Sequence, residues 1–435
     1  MRLKLMATLL LGAALACDSL LNVQSPSRVP ASVLDDPANA ELAVNGAQAD
    51  FECALASYVA LGGMMAGELE DATLSAGRWD YDRRTVTSGD AYGPNQCNDG
   101  SFLGLYTPLS VARFQADNAT HHLQGWTDAQ VSNRHDLIAK ASAYGGYTLT
   151  LLGEGFCSAA IDVGPQLMPP QLLDSAAARF STAIAEAITA GDASTLNLAR
   201  VGRARVRLAL GDTVGALADA QLVPAGFEYD ATYSSANARR ENFVYQQINK
   251  SPFNTIAVPY RNFMYVFADT VVPGKVDSVP DPRVTVRFDS ATTMFDNRHG
   301  QWVQLKYANI GAPIRLATRT EAQLIIAEIQ GGPTAVGIIN NLHAAAGLPP
   351  FRGTDPDSIR RQVIYERQAE FFLDGHHLGD VNRFRLTLFP PAGTPYPVDA
   401  ANPKGGFYGT GTRFPLPDKE RFNNPNIPST VNPGC

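Results

Sequence analysis

Residues 196–223 read LNLARVGRARVRLALGDTVGALADAQLV, and this stretch decides the fold. Its small and apolar residues run as one helix up to Gly211-Asp212. Glycine ends a helix there because it accepts the left-handed backbone geometry of a helix C-terminus. A second helix starts at once, with Ala216 and Ala220 one turn apart on the same face, and Pro224 closes it. The alanines allow the two helices to approach closely. A helix pair of this kind needs stacked neighbours to bury a continuous core.

The unit resembles a tetratricopeptide repeat, a helix–turn–helix packed by small residues, and three or so such units are needed for a core. Helices near 171–190 and 319–347 would supply the neighbours. Ala177, Phe180, Ile184 and Ile188 form an apolar stripe in the first. Residues 319–330 and 333–347 are helical in character, and a third helix near 356–374 has Asp355 as N-cap and Pro356 at its first position. Further upstream, Val44, Ala47, Phe51, Leu55 and Tyr58 recur at spacings of three and four. Leu137, Ile138, Ala141, Tyr144, Gly145, Thr148, Leu149 and Leu152 form a stripe of about four turns. Between these lie three different stretches. Residues 69–100 hold many Gly, Asp and Ser residues and read as a helix-poor loop, which at that length is usually functional or disordered. Residues 225–318 are mixed, with β-prone runs at Val284–Phe288 and Trp302–Tyr307. From 390 onward Pro, Gly and Asn predict irregular chain. The expected class is mainly all-α: helix pairs as scaffold, a loop-rich lobe and a few short strands.

The N-terminus adds a location. Arg2 and Lys4 precede an uninterrupted run of apolar and small residues from Leu5 to Ala16, and Cys17 follows. The run is shorter than the ~20 residues that span a bilayer and has the layout of a secretory signal peptide. The cysteine after it is expected to be acylated, with cleavage before it, as in a bacterial lipoprotein. The motif Ala14-Leu15-Ala16-Cys17 departs from the usual form, which has Leu three residues before the cysteine. Residues 1–16 therefore read as signal peptide and 17–33 as lipidated N-terminus and tether. The formal charge is −7. Cleavage takes Arg2 and Lys4 from the 35 basic residues, leaving 33 against 42 acidic ones, or −9. That balance excludes nucleic acid as a partner, since phosphate binding needs a basic face. With Cys17 acylated, Cys53, Cys97, Cys157 and Cys435 permit two disulfides in any of three connectivities, or buried free thiols. No CxxC zinc spacing occurs.

Several stretches together resemble the SusD/RagB family of nutrient-binding lipoproteins. CDSLLNVQSP, residues 17–26, is similar to its mature N-terminus, and the DPR triplet at Asp281–Arg283 precedes a β-prone run as it does there. IRLATRTEAQLIIAEIQGG…AVGIINNLHAAAGLPPF, residues 314–351, resembles its helix pair. IYERQAEFFLDGHHLGDVNRFR, residues 364–385, resembles its "ER..EL..EG.R..DL.RW" helix. FPLPDKERFNNPNIPSTVNPGC, residues 414–435, resembles its C-terminus. The departures are Ala317-Thr318 for Ala-Glu, Asp374 and His376 for Glu and Arg, and Cys435 for a terminal aromatic. The resemblance implies one SusD-like domain over 34–435, with tetratricopeptide-like helices at about 171–223 and 319–374. It implies an outer-membrane, lipid-anchored, surface-facing protein that binds an oligosaccharide, or in some branches a peptide. Such a protein caps a SusC-like TonB-dependent transporter, without a cofactor and without catalysis.

For sugar binding, flat aromatic rings are expected against the apolar faces of pyranoses, with polar groups fixing the hydroxyls. Trp79 and Tyr81, beside Asp80 and Asp82 in the loop-rich stretch, lead the candidates, followed by Tyr92 and Trp302. Trp126 follows a helical stretch and is expected in the core. A rival reading is a secreted glycan hydrolase. Glu366 and Glu370 are four apart on one helix face and could form an acid–base pair. They read more readily as structural ion pairs, which in a core demand an arginine partner, with Arg383 and Arg385 nearby in sequence. His121-His122 would point about 100° apart on a helix and reads as a surface pair rather than metal ligands. GxSxG, P-loop and GxGxxG motifs are absent.

Overall fold

The computed structural model describes residues 31–97, 103–268, 275–297, 300–397, 404–428 and 430. Residues 1–16, read above as a signal peptide, and Cys17 and Cys435 lie outside them. The helices of eight or more residues among those described are α1 (Ala40–Ala66), α2 (Ala76–Arg83), α3 (Tyr106–Gly125), α4 (Arg134–Gly155), α5 (Pro169–Ala190), α6 (Ala193–Leu210), α7 (Thr213–Gln221), α8 (Arg319–Gln330), α9 (Gly332–Ala346), α10 (Pro356–Glu370) and α11 (His377–Phe384). The fold is mainly α-helical, as the sequence predicts. None of these helices is long and apolar enough to cross a membrane.

The deciding stretch folds as read. Gly211 caps α6 at φ 83°, and the Asp212 side chain then accepts the Gly215 N–H to start α7. Ala216 and Ala220 are fully buried. Successive helices from α3 to α7 pack on one another, and α8 packs on both α6 and α7. The stack continues through α9 and α10, while α11 folds back onto α1 and α4. Close packing rests on small residues at the crossings. The buried Phe180 ring of α5 is gripped between Gly146 of α4 and Gly202 of α6. A Cβ added at either glycine would come within 2.8 Å and 2.4 Å of the ring.

The chain leaves the stack after α7 and returns at α8. Strand Glu228–Ala231 pairs antiparallel with Ile314–Thr318 and closes this excursion. Inside it, Met264–Ala268 pairs with Val276–Pro280, and Val286–Thr293 with Gly300–Gln304. Strand Asn254–Ile256 reaches back to pair with Leu69–Asp71 at the end of α1. The two β-prone runs are thus partners of each other. Residues 69–97 are less loop-like than expected. They hold a strand and the eight-residue α2, because Arg78 is drawn inward by buried polar partners described below. Past 390 the described chain is irregular except for a short helix, Asp418–Asn423. Cys53 of α1 is disulfide-bonded to Cys97, and Cys157 is disulfide-bonded as well.

Candidate functional site

The predicted aromatic residues do not form one group. Trp79 and Trp302 are half-buried, whereas Tyr81 and Tyr92 have no exposure. Tyr81 lies two residues after Trp79 on α2, about 200° further round the helix. It therefore faces inward, where its hydroxyl accepts the Tyr92 N–H at 2.9 Å. The Tyr92 hydroxyl donates to Pro415 O at 2.7 Å, and its ring packs 5.4 Å from Phe414 and 6.2 Å from Phe156. Both tyrosines are fully buried in the core, so neither offers a ring face at the surface. Trp126 is partly buried against a satellite cluster and stacks on His122 at 5.8 Å.

Around Trp79 the structure builds an exposed apolar shelf. The chain leaves strand Leu69–Asp71, and Ala72 N–H donates to Phe253 O at 2.8 Å. Asp296 N–H donates in turn to Ala72 O at 3.0 Å. These two bonds bring three distant segments side by side. Phe253 and Phe295 stack with ring centroids 5.0 Å apart and planes 24° from parallel. Phe295 is 51% exposed and Leu74 60%. Trp79 lies on the adjoining turn of chain, its indole N–H donating to Thr73 O at 3.0 Å and its ring 6.5 Å from that of Tyr396. Phe253 and Phe295 escape a sequence search because 174 or more positions separate them from residues 72–79. A phenylalanine followed by Asp296-Asn297 is the one local sign of an aromatic held at a turn.

Buried charges hold the shelf from beneath. Arg78 donates from Nε to Asp71 Oδ2 at 2.8 Å, and from Nη2 to Gln247 Oε1 at 3.0 Å and Asn254 Oδ1 at 2.9 Å. Its guanidinium also lies 5.5 Å from the Phe253 ring centroid. The Lys404 ammonium is fully buried, 2.9 Å from Asp296 and 5.9 Å from the Trp79 ring centroid, and donates to Asp71 O at 2.6 Å. Charges paired and hydrogen-bonded in this way fix backbone positions, since leaving one unpaired would be costly. Trp302 stands on the neighbouring hairpin directly opposite Phe288, with ring centroids 5.4 Å apart. Its N–H donates to Thr255 Oγ1 at 2.8 Å, which ties that hairpin to the strand carrying Asn254. Phe288 is 48% exposed.

The carboxylates of α10 are occupied. Glu366 is fully buried, and its Oε2 accepts from Arg283 Nη1 at 2.5 Å. Its Oε1 accepts from Gln362 at 2.6 Å and lies 2.7 Å from His343 Nε2. Arg283 Nη1 also reaches Glu370 at 3.0 Å, while Nε and Nη2 fork onto Asp281 at 2.9 and 2.6 Å. The arginine partner is therefore Arg283 of the DPR triplet, 83 residues upstream of Glu366, and neither Arg383 nor Arg385. Arg383 binds Glu328 and Asp380 instead, because α11 follows a turn that carries it away from the Glu366 face. Glu366 is held without access to solvent, so it cannot meet a glycosidic bond as an acid–base pair requires. Among the described residues, no group of three His, Cys, Asp or Glu side chains is placed to hold a metal ion. His121 is exposed, and His122 sits 3.4 Å from Asp35.

No protein-family model matches the chain, and no curated protein sequence matches it. Solved structures do. A SusD superfamily protein from Bacteroides vulgatus superposes with a TM-score of 0.63 at 13% identity, covering 91% of this chain and 98% of that one. A SusD-like carbohydrate binding protein from the same organism gives 0.65 at 14% identity, with the same coverage. Surface glycan-binding protein A from Bacteroides fluxus gives 0.67 at 13% identity, again over 91% and 98%. The chain has the SusD-like fold over nearly its whole length.

Proposed function

We propose that this protein binds an oligosaccharide on the shelf formed by Leu74, Trp79, Phe253 and Phe295, and passes it to a SusC-like TonB-dependent transporter. The observation that carries the reading is the stacked Phe253–Phe295 pair, half-exposed and fixed from below by Arg78 and Lys404. Preset flat rings suit the apolar faces of pyranoses, and ordering them costs nothing further on binding. The fold supports it, since neighbours of the same fold are described as carbohydrate-binding or surface glycan-binding proteins. Phe288 and Trp302 on the adjacent hairpin would extend the contact to a longer chain. In this reading Cys17 carries the lipid, residues 17–33 form the tether, and residues 34–435 act as one binding unit at the outer surface of the outer membrane. Bound glycan leaves chemically unchanged.

The test is calorimetric titration of the purified protein with a panel of soluble plant and microbial oligosaccharides, followed by product analysis of each mixture. One or more glycans should bind without shortening. Phe295→Ala and Trp79→Ala should each weaken binding of that glycan by about tenfold, in line with ~1–3 kcal/mol per truncated anchor. Binding unaffected by both substitutions, or glycan cleavage, would overturn the proposal.

A further inference from the structure

A second cavity lies on the helical scaffold and shares no residue with the aromatic shelf. It holds about 290 Å³ between the C-terminal end of α4, α6, α8, α10 and α11. Its inner end carries Glu321, whose two carboxylate oxygens are buried and have no hydrogen-bond partner. His376 Nε2 stands 3.3 Å away, also without one, and Arg205 Nη1 is 3.9 Å away. Five arginines line the space against three carboxylates. Arg205 is committed to Glu154 through a two-bond fork at 2.8 and 2.5 Å. Arg367 uses Nε on Asp380 at 2.8 Å, and Arg383 pairs with Glu328 and Asp380.

Among the described residues two arginines make no ion pair, and the carboxylate that acts on one of them, Glu154 on Arg413, is already forked by Arg205. Arg413 touches only the carbonyls of Gly153 and Phe156, at 3.4 and 3.2 Å. Arg385 is exposed at the opening and makes no ion pair. Its backbone has φ 55°, a conformation that side chains other than glycine adopt rarely. Water can hydrate all four groups, but it brings no negative charge to offset the excess of arginine over carboxylate in the cavity. What answers both ends is a molecule with hydroxyl donors for Glu321 and an anionic group for the arginines, since guanidinium forks match carboxylate and phosphate oxygens.

We infer that this cavity is a binding site for a monosaccharide-sized polyhydroxylated anion, a sugar acid or sugar phosphate, with its anionic group on Arg385 and Arg413 and its hydroxyls on Glu321. The volume admits one such ring and not a chain, at the small end of ligand pockets. The site stands independently of the shelf.

Calorimetric titration of the whole protein tests it, using glucuronate, glucose 6-phosphate, glucose, acetate and inorganic phosphate as separate probes. Glucuronate or glucose 6-phosphate should bind at least tenfold more tightly than glucose and than the matching simple anion. Whichever of the two binds identifies the anionic group. Arg385→Gln and Arg413→Gln should each weaken that ligand at least fivefold, and Glu321→Gln should remove its advantage over the simple anion. Arg385 is exposed, so its variant keeps the wild-type melting temperature and separates binding from folding. Trp79→Ala should leave the affinity unchanged. Glucose binding equally well, the simple anions binding equally well, no binding at all, or wild-type affinity in Arg385→Gln would overturn the inference.

Discussion

Replacing Arg283 by Met removes one cation from three carboxylates. The side chains of Asp281 and Glu366 have no exposure, and Glu370 is 17% exposed. Glu366 would keep Gln362 and His343, but Asp281 would lose its forked partner altogether. Breaking a buried pair from one side costs about 3–5 kcal/mol, because a desolvated charge is left behind. Unfolding entropy of about 2.1 cal/mol/K per residue gives a body of roughly 400 residues about 0.8 kcal/mol/K. The expected fall in melting temperature is thus about 4–6 °C by scanning calorimetry. Arg383→Met is the matched comparison. Its side chain is 21% exposed, its partner Glu328 is 19% exposed, and Asp380 would retain Arg367. A loss of about 1 kcal/mol, near 1 °C, is expected there. The double variant Arg283→Met with Glu366→Gln should recover part of the loss. If Arg383→Met destabilises as much as Arg283→Met, the assignment of the α10 carboxylates to the DPR arginine is refuted.

Two helical glycines should respond in opposite directions. Gly46→Ala, at an exposed position of the largely buried α1, meets no atom within 4 Å and should gain about 0.5–1 kcal/mol from helix propensity. Gly202→Ala drives a Cβ to 2.4 Å from Phe180 and should lose about 1–3 kcal/mol to overpacking, outweighing the same propensity gain. Melting temperatures that rise for Gly202→Ala, or fall for Gly46→Ala, would contradict the packing described. Stability should also decline on the alkaline side. Burial and Arg205 pull the His376 pKa down, but Glu321 and Asp374 more than offset them, and it is raised to about 9. A folded-state pKa above the unfolded one gives stability that is complete below pH 6.5 and lost as pH rises towards 9, about 3 kcal/mol in all. Burial raises Glu68 to about 8, which adds a loss of the same sign up to that pH. His376→Asn should flatten the melting temperature between pH 8 and 9, and an unchanged slope there would sink the assignment.

The helical scaffold was legible in the sequence because its determinants are local. Gly211 and Asp212 end one helix and start the next, Asp355 and Pro356 start another, and the stripes of α1, α4 and α5 repeat at the helical period. Capping and amphipathic spacing act over a few residues, so they can be read without knowing what lies across the core. The resemblance carried the fold further, and the solved structures bear it out at identities where sequence alone matches no family model. The proposed site was legible only in part. Trp79 could be picked out by residue type, but not the 200° that turns Tyr81 inward on the same helix. The partners of Trp79 and of Glu366 were out of reach for one reason. Phe253, Phe295 and Arg283 are brought in by strand pairing and backbone bonds from the excursion between α7 and α8. Those contacts join residues 83 to more than 200 positions apart, and no local pattern encodes which of many distant side chains will fill a given place. The amino-acid order alone determined where helices begin and end; which rings face water, and which arginine neutralises which carboxylate, was decided by the packing of segments whose separation in the chain gives no clue to their distance in space.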